Sequence, residues 1–360
     1  MPKQNFFVNE DELDDFQVQL LQKRVVSGGG RGNGEGGGSG SGGGGMIVTG
    51  CAGSGKSILA LWKAKQIQKL GHSYIFIVFT KALHRYMSDG IQAIGLNDAN
   101  FVYHYQWKAM GFPSADFIIV DEVQDFTREE ISQFKNAAKQ AFLFWGDSDQ
   151  SIYKNLKPTK TIKEIAAEAS ILAEKLVFNH RLPRKIARFA AQLIGDEELV
   201  SRCKKEGEDL PKVLHLSKLE EQLDVAMQQI KNRQITDAAI LFCDNDMVKK
   251  AYNYLTNNGY SIEANFRDKQ DFKGDVSDLD FSSDNPKLMT YHSAKGLQFE
   301  AVFLPECNPP EKMGIEPLYV AITRSYRYLY VMYSSQMSSC FNSIPTELYM
   351  TTLENDKIEL

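Results

Sequence analysis

The chain has 360 residues, 41 Lys+Arg against 46 Asp+Glu, 43% hydrophobic and 11% aromatic residues, values that exclude a disordered or collagen-like polymer. Two or three domains fit the length, and two is the first expectation. A formal net charge of -5 and a pI near 5.8 provide no global basic field, so contact with nucleic acid requires a local patch. The five cysteines, Cys51, Cys203, Cys243, Cys307 and Cys340, are scattered and contain no C-x-x-C pair. That pattern argues for a reducing compartment and against structural zinc. No H-E-x-x-H occurs, the first 20 residues are acidic and polar, and the most apolar stretch (Tyr74 to Phe79) is far shorter than a membrane span. A cytoplasmic protein with no membrane partner is expected.

From the N-terminus, residues 1–27 precede a tract in which 13 of the 18 residues from Gly28 to Gly45 are glycine. Such a run reads as a flexible tether, an engineered linker in preference to an unusual natural insertion, with a random-coil reach of about 23 Å that lets residues 1–27 dock on the chain beyond the tract. Strand and helix signals then alternate. Strands are expected at Met46 to Thr49, Tyr74 to Phe79, Phe117 to Val120 and Ala141 to Trp145, with an amphipathic helix over Lys56 to Lys69. A helical, charge-rich run is expected from about Lys160 to Ala191. Further strands are expected at Ala238 to Phe242, Lys287 to Thr290, Ala301 to Leu304 and Tyr328 to Tyr333. This is α/β grammar, with parallel sheets flanked by helices, and it divides into units at 46–175 and 176–360.

Gly50-Cys-Ala-Gly53-Ser54-Gly55-Lys56-Ser57 is a G-x-x-x-x-G-K-S between a strand and a helix, the pattern of a P-loop. Its glycines let backbone N–H groups face phosphates, Lys56 reaches the β- and γ-phosphate oxygens, and Ser57 suits Mg²⁺. Phe117-Ile-Ile-Val-Asp121-Glu122 is a buried strand ending in carboxylates. Asp121 suits the Mg²⁺ shell, and Glu122 is placed to orient or deprotonate water, which favours hydrolysis over transfer to an acceptor.

Four segments in order, Asp121-Glu-Val-Gln-Asp125, Gly146-Asp-Ser-Asp-Gln150-Ser-Ile-Tyr153, Tyr291-His292-Ser-Ala-Lys-Gly-Leu-Gln298-Phe299 and Leu318-Tyr-Val-Ala-Ile-Thr-Arg324, resemble successive motifs of UvrD/Rep/PcrA-like superfamily 1 DNA helicases. Leu13-Asp-Asp-Phe-Gln17 resembles the Q motif of that family. The resemblance implies two RecA-like domains that bind ATP and Mg²⁺ between them and move on single-stranded nucleic acid, 3′ to 5′ on DNA, with RNA as an alternative polymer. It implies that Gln17 reads adenine, that Gln150 senses the γ-phosphate, and that Arg181 and Arg324 are arginine fingers. Gln298 stands where the family has a glutamate that bonds ribose. Val78-Phe79-Thr80-Lys81-Ala-Leu83 and Val102-Tyr103-His104 resemble strand-contacting motifs, which adds Phe79, Thr80, Lys81, Tyr103 and His104 as nucleic-acid residues, and Tyr153 and His292, from the motifs above, are candidates for the same groove. Phe79 as a simple core residue at a strand end is the competing reading. After Tyr153 the family's aromatic and Arg-Gly are replaced by Lys154-Asn-Leu156, and the intervals Lys56–Asp121 and Arg181–His292 are too short for the large inserted subdomains of full helicases. These departures leave open a second expectation, a nucleotide-gated binding ATPase that does not unwind.

Overall fold

The computed structural model describes residues 8–25, 44–51, 53–147, 159–268, 274–310 and 313–353, the Asp89 side chain excepted. Gln150, Tyr153, the Lys154-Asn-Leu156 segment and most of the glycine-rich tract lie outside the described residues. The chain forms two units, residues 1–178 and 179–360.

In the first unit, α1 (Asp15–Gln22) precedes the tract and β1 (Gly44–Gly50) follows it. The final two glycines, expected in the linker, are therefore strand residues paired with Ala141 and Phe142. Gly45 is there for space: a Cβ would lie 2.5 Å from the Phe142 ring and 2.6 Å from Ile171 Cδ1. The unit continues through α2 (Lys56–Lys69), β2 (Tyr74–Val78), α3 (Lys81–Ala93), β3 (Phe101–Tyr103), α4 (His104–Ala109), β4 (Ala115–Val120), α5 (Arg128–Ala137), β5 (Ala138–Gly146), α6 (Ile162–Ala169) and β6 (Glu174–Leu176). The six strands run in the order β3-β2-β4-β5-β1-β6, and every pairing is parallel. Strands such as Tyr-Ile-Phe-Ile-Val in β2 are apolar almost throughout because helices cover both faces of a parallel sheet. Trp107, Phe126, Phe134, Phe144 and Ile165 fill the core on one side.

The expected continuous helix from Lys160 to Ala191 is instead helix, strand and helix. Ser170 closes α6 in the left-handed region at φ 54, and the chain then pairs as β6 along β1. An edge strand of three residues with one buried side chain leaves no period-two signature.

The second unit comprises α7 (Arg184–Ile194), α8 (Leu199–Arg202), β7 (Lys212–His215), α9 (Leu219–Asn232), β8 (Ala238–Phe242), α10 (Asn245–Asn257), β9 (Glu263–Phe266), β10 (Val276–Ser277), β11 (Lys287–Thr290), β12 (Phe299–Leu304), α11 (Glu316–Ile322) and β13 (Ser325–Tyr333). Its sheet order is β10-β9-β11-β8-β12-β13-β7, parallel except for the β10–β9 pair at one edge. Leu223, Ile240, Phe242, Leu255, Leu288, Phe303 and Tyr330 centre its core. Among the described residues no helix is long and apolar enough to cross a membrane.

Candidate nucleotide and nucleic-acid sites

The chemistry-bearing residues of the first unit gather where β1, β4 and β5 end, the edge at which open α/β sheets place ligands. Gly50 closes β1, and the loop to α2 contains Gly53 at φ 75 and Gly55 at φ 85, left-handed positions that glycine takes without cost. Lys56 is buried at the first position of α2, and its Nζ donates to the carbonyls of Gly50 at 2.6 Å and Cys51 at 3.0 Å. The Asp147 carboxylate, just past β5, lies 3.9 Å from the same ammonium. Ser54 Oγ is buried in this loop and has no hydrogen-bond partner among the described residues.

Gln17 reaches the loop from α1. Its Nε2 donates to the Ser54 carbonyl at 3.0 Å, while its Oε1 accepts the Asp14 N–H at 3.0 Å in a capping box. A Cβ on Gly55 would lie 2.5 Å from Gln17 Nε2, so the glycine admits this approach as well as the turn. Lys63, unremarked in the sequence, holds α1 in place: its buried Nζ donates to the carbonyls of Leu21 at 2.8 Å and Lys23 at 2.6 Å. Desolvation lowers its pKa to about 8. Lys23 in turn pairs with Glu174 on β6 at 2.6 Å, and Trp62 Nε1 donates to the Val8 carbonyl at 3.1 Å.

Opposite the loop, Ser57 Oγ donates to Asp121 Oδ2 at 2.5 Å. Asp121 is fully buried, and this burial together with Glu122 pushes its carboxyl above the ordinary range, against the opposing effects of Ser57 and Lys56. Two hard oxygens converging here suit Mg²⁺, which takes few protein ligands and fills its shell with phosphate and water. Along with the buried, unpartnered Ser54 hydroxyl, they make a donor set that fits a Mg²⁺-bound polyphosphate. Glu122 is buried with φ 53 and ψ 41, an uncommon conformation for a residue with a side chain. Its Oε2 accepts from Gln124 Nε2 at 2.5 Å.

The residues matched to strand-contacting motifs lie where β2 and β3 end. Phe79 is half-buried, with its ring edge-on to Phe126 at 5.1 Å and parallel to His104 at 6.4 Å. Thr80 caps α3, its hydroxyl accepting the Leu83 N–H at 3.0 Å, and Lys81 is exposed beside it. Tyr103 is half-buried, edge-on to His84. His104 is buried among aromatic rings, with Nε2 3.1 Å from Glu130. Burial alone would raise the Glu130 carboxyl, but His104, Lys108 and the Thr127 amide hold it well below the usual range.

In the second unit, Asn179 Oδ1 accepts the N–H groups of Arg181 at 3.0 Å and Leu182 at 2.9 Å, fixing the backbone just ahead of α7. Arg324 follows α11, which packs on α7. Its buried guanidinium donates to the carbonyls of Val320 at 2.8 Å and Leu297 at 3.4 Å, bringing it beside the turn that contains the buried Gln298. His292 lies in the same turn; burial first and Lys295 second lower its pKa.

A glycine loop that opens a helix, facing a buried Asp-Glu at a parallel strand end, defines a P-loop nucleotide hydrolase. A family model of the viral superfamily 1 RNA helicase core domain matches residues 46–333, and the chain belongs to this family. It is thus a superfamily 1 helicase core, a nucleotide-using enzyme whose partner class is nucleic acid. Two solved structures are similar at low identity. One is the C-terminal domain of a possible DNA helicase from Lactobacillus plantarum WCFS1, with 17% identity, TM-score 0.37, and coverage of 48% of this chain and 98% of that one. The other is Arterivirus nonstructural protein 10, a helicase, with 13% identity, TM-score 0.45, and coverage of 83% of this chain and 61% of that one. No curated protein matches the sequence.

Proposed function

We propose that the chain hydrolyses ATP with Mg²⁺ to move 3′ to 5′ along single-stranded DNA. The observation that carries the hydrolytic part is the Ser57–Asp121 contact at 2.5 Å with Glu122 held beside it. In this reading Gly50, Gly53, Ser54, Gly55 and Lys56 bind the phosphates. Ser57 and Asp121 hold Mg²⁺, which when bound neutralises phosphate charge. Glu122 orients the attacking water, while Gln17 and Gln298 read adenine and ribose. Gln150, Arg181 and Arg324 respond to the γ-phosphate, the arginines by offsetting charge on the transferring group. Phe79, Thr80, Lys81, Tyr103, His104, Tyr153 and His292 form the strand-binding set. DNA and the 3′ to 5′ direction are supported by the motif wording shared with UvrD/Rep/PcrA-like enzymes. The family description that matches the chain speaks of RNA, so polymer choice belongs in the test.

ATP turnover is measured with oligo(dT), with oligo(rU) and without polymer, followed by displacement of a labelled strand from duplexes carrying a 3′ or a 5′ tail. Stimulation by DNA with displacement from the 3′-tailed duplex is expected. Stimulation without displacement is the outcome of the second reading, a nucleotide-gated binding ATPase, which the short Lys56–Asp121 and Arg181–His292 intervals favour. A response to RNA alone overturns the DNA assignment, and no response to either polymer overturns the function.

A further inference from the structure

We propose that Gln124 is a positioning residue for hydrolysis, its side-chain amide locking the Glu122 carboxylate to the backbone at the end of β5. The inference rests on the reading of Glu122 as the water-orienting group. Gln124 has 0% of its surface exposed. Its Oε1 accepts the Asp147 N–H at 2.9 Å. That N–H can only donate, so the amide oxygen is fixed on it and the NH₂ must face the other way. There it meets Glu122 Oε2 at 2.5 Å.

The arrangement closes a ring of contacts around the site. Asp147 lies 3.9 Å from Lys56, its N–H holds Gln124, and Gln124 holds Glu122. The Glu122 N–H donates to Asp121 Oδ1 at 3.0 Å, and Asp121 Oδ2 accepts from Ser57, the neighbour of Lys56. The ends of β1, β4 and β5 are thereby joined through side chains. A free glutamate side chain has rotamer entropy to lose, and a charge-assisted bond from a fully buried, doubly anchored amide removes that freedom before substrate arrives. Space at Gly146 is reserved for the same amide, because a Cβ there would lie 2.3 Å from Gln124 Oε1.

The test measures ATP turnover of the full chain at saturating oligo(dT) for the unaltered protein, Gln124→Met, Gln124→Glu, Glu122→Gln and the double variant Glu122→Gln/Gln124→Met. Methionine keeps the length of the side chain without its polar atoms. Glutamate still accepts from Asp147 N–H and can donate to Glu122 only when it carries a proton, so its loss of turnover is expected to deepen as pH rises, and this pH profile gives a second reading should the methionine variant fold poorly. Both are expected to lower kcat by about 10- to 100-fold with KM changed by less than about threefold. The double variant is expected to be no slower than Glu122→Gln, because Gln124 acts through a carboxylate already removed. Multiplication of the two losses indicates a merely structural role and overturns the inference. So does turnover within about twofold of the unaltered protein in both Gln124 variants while Glu122→Gln is inactive. Near-normal turnover in Glu122→Gln overturns instead the functional reading beneath it.

Discussion

Gly146→Ala tests how closely the site is packed. A Cβ at this position would lie 2.3 Å from Gln124 Oε1, 2.7 Å from Ile162 Cδ1 and 3.2 Å from Val123 Cγ1. Carbon and oxygen rarely approach within about 3.2 Å, so the Gln124 amide must retreat by roughly 1 Å. That movement weakens the 2.9 Å bond from Asp147 N–H to the Gln124 amide. Loss of this bond costs about 0.5–1.5 kcal/mol. Overpacking against Ile162 and Val123 costs a further 1–3 kcal/mol, roughly. Because relaxation is shared between the two, the net loss is expected near 2–4 kcal/mol, on the order of 5–15 °C in the melting of a unit of 178 residues. Thermal unfolding followed by circular dichroism, with ATP turnover measured on the same samples, is the assay. Melting within about 1 °C of the unaltered protein, with full turnover, would refute the packing argument and the role given to the Gln124 amide.

Other outcomes rest on individual contacts. Lys63 has a folded pKa of about 8 against an ordinary 10.5. Across that window the unfolded chain binds the proton that the folded chain lacks, so stability rises with pH between these values. Lys63→Met removes this rise, and urea unfolding at several pH values is expected to show the two proteins diverging only above about pH 8; parallel curves would contradict the burial assigned to Lys63. Phe79→Ala is expected to weaken oligo(dT) binding by about 1–3 kcal/mol, with Phe79→Trp retaining it. A drop in melting temperature with unchanged binding would assign Phe79 to the core alone.

Much of this architecture was legible because the central strands are apolar and bounded by diagnostic loops. β1, β2, β4 and β5, and later β8 and β12, are apolar runs close to glycine or acidic residues, while β11 and β13 are marked by the Tyr291–Phe299 and Leu318–Arg324 motifs beside them. The strands β3, β6, β7, β9 and β10 have two to four residues each, too few for alternation to show, and β11, as short, is legible from the motif that follows it. The glycine tract hid the start of β1, since glycine signals freedom in a sequence while Gly45 is constrained by the Phe142 ring. Within the site, motif spacing pointed to Lys56, Ser57, Asp121 and Glu122, and the structure joins them. Gln124 and Asp147 were visible only as letters within motifs, because their importance lies in one hydrogen bond across 23 positions of chain. Lys63 gave no sequence signal, as a lysine on an amphipathic helix ordinarily faces solvent.

The central claim is that this nucleotide site is driven by a bound strand. ATP turnover by the full chain, compared with and without oligo(dT) and with Lys56→Ala as the control, tests it most directly. Turnover is expected to rise strongly when the strand is added and to vanish in Lys56→Ala under both conditions. Equal turnover with and without the strand, or turnover that survives loss of the Lys56 ammonium, would contradict it.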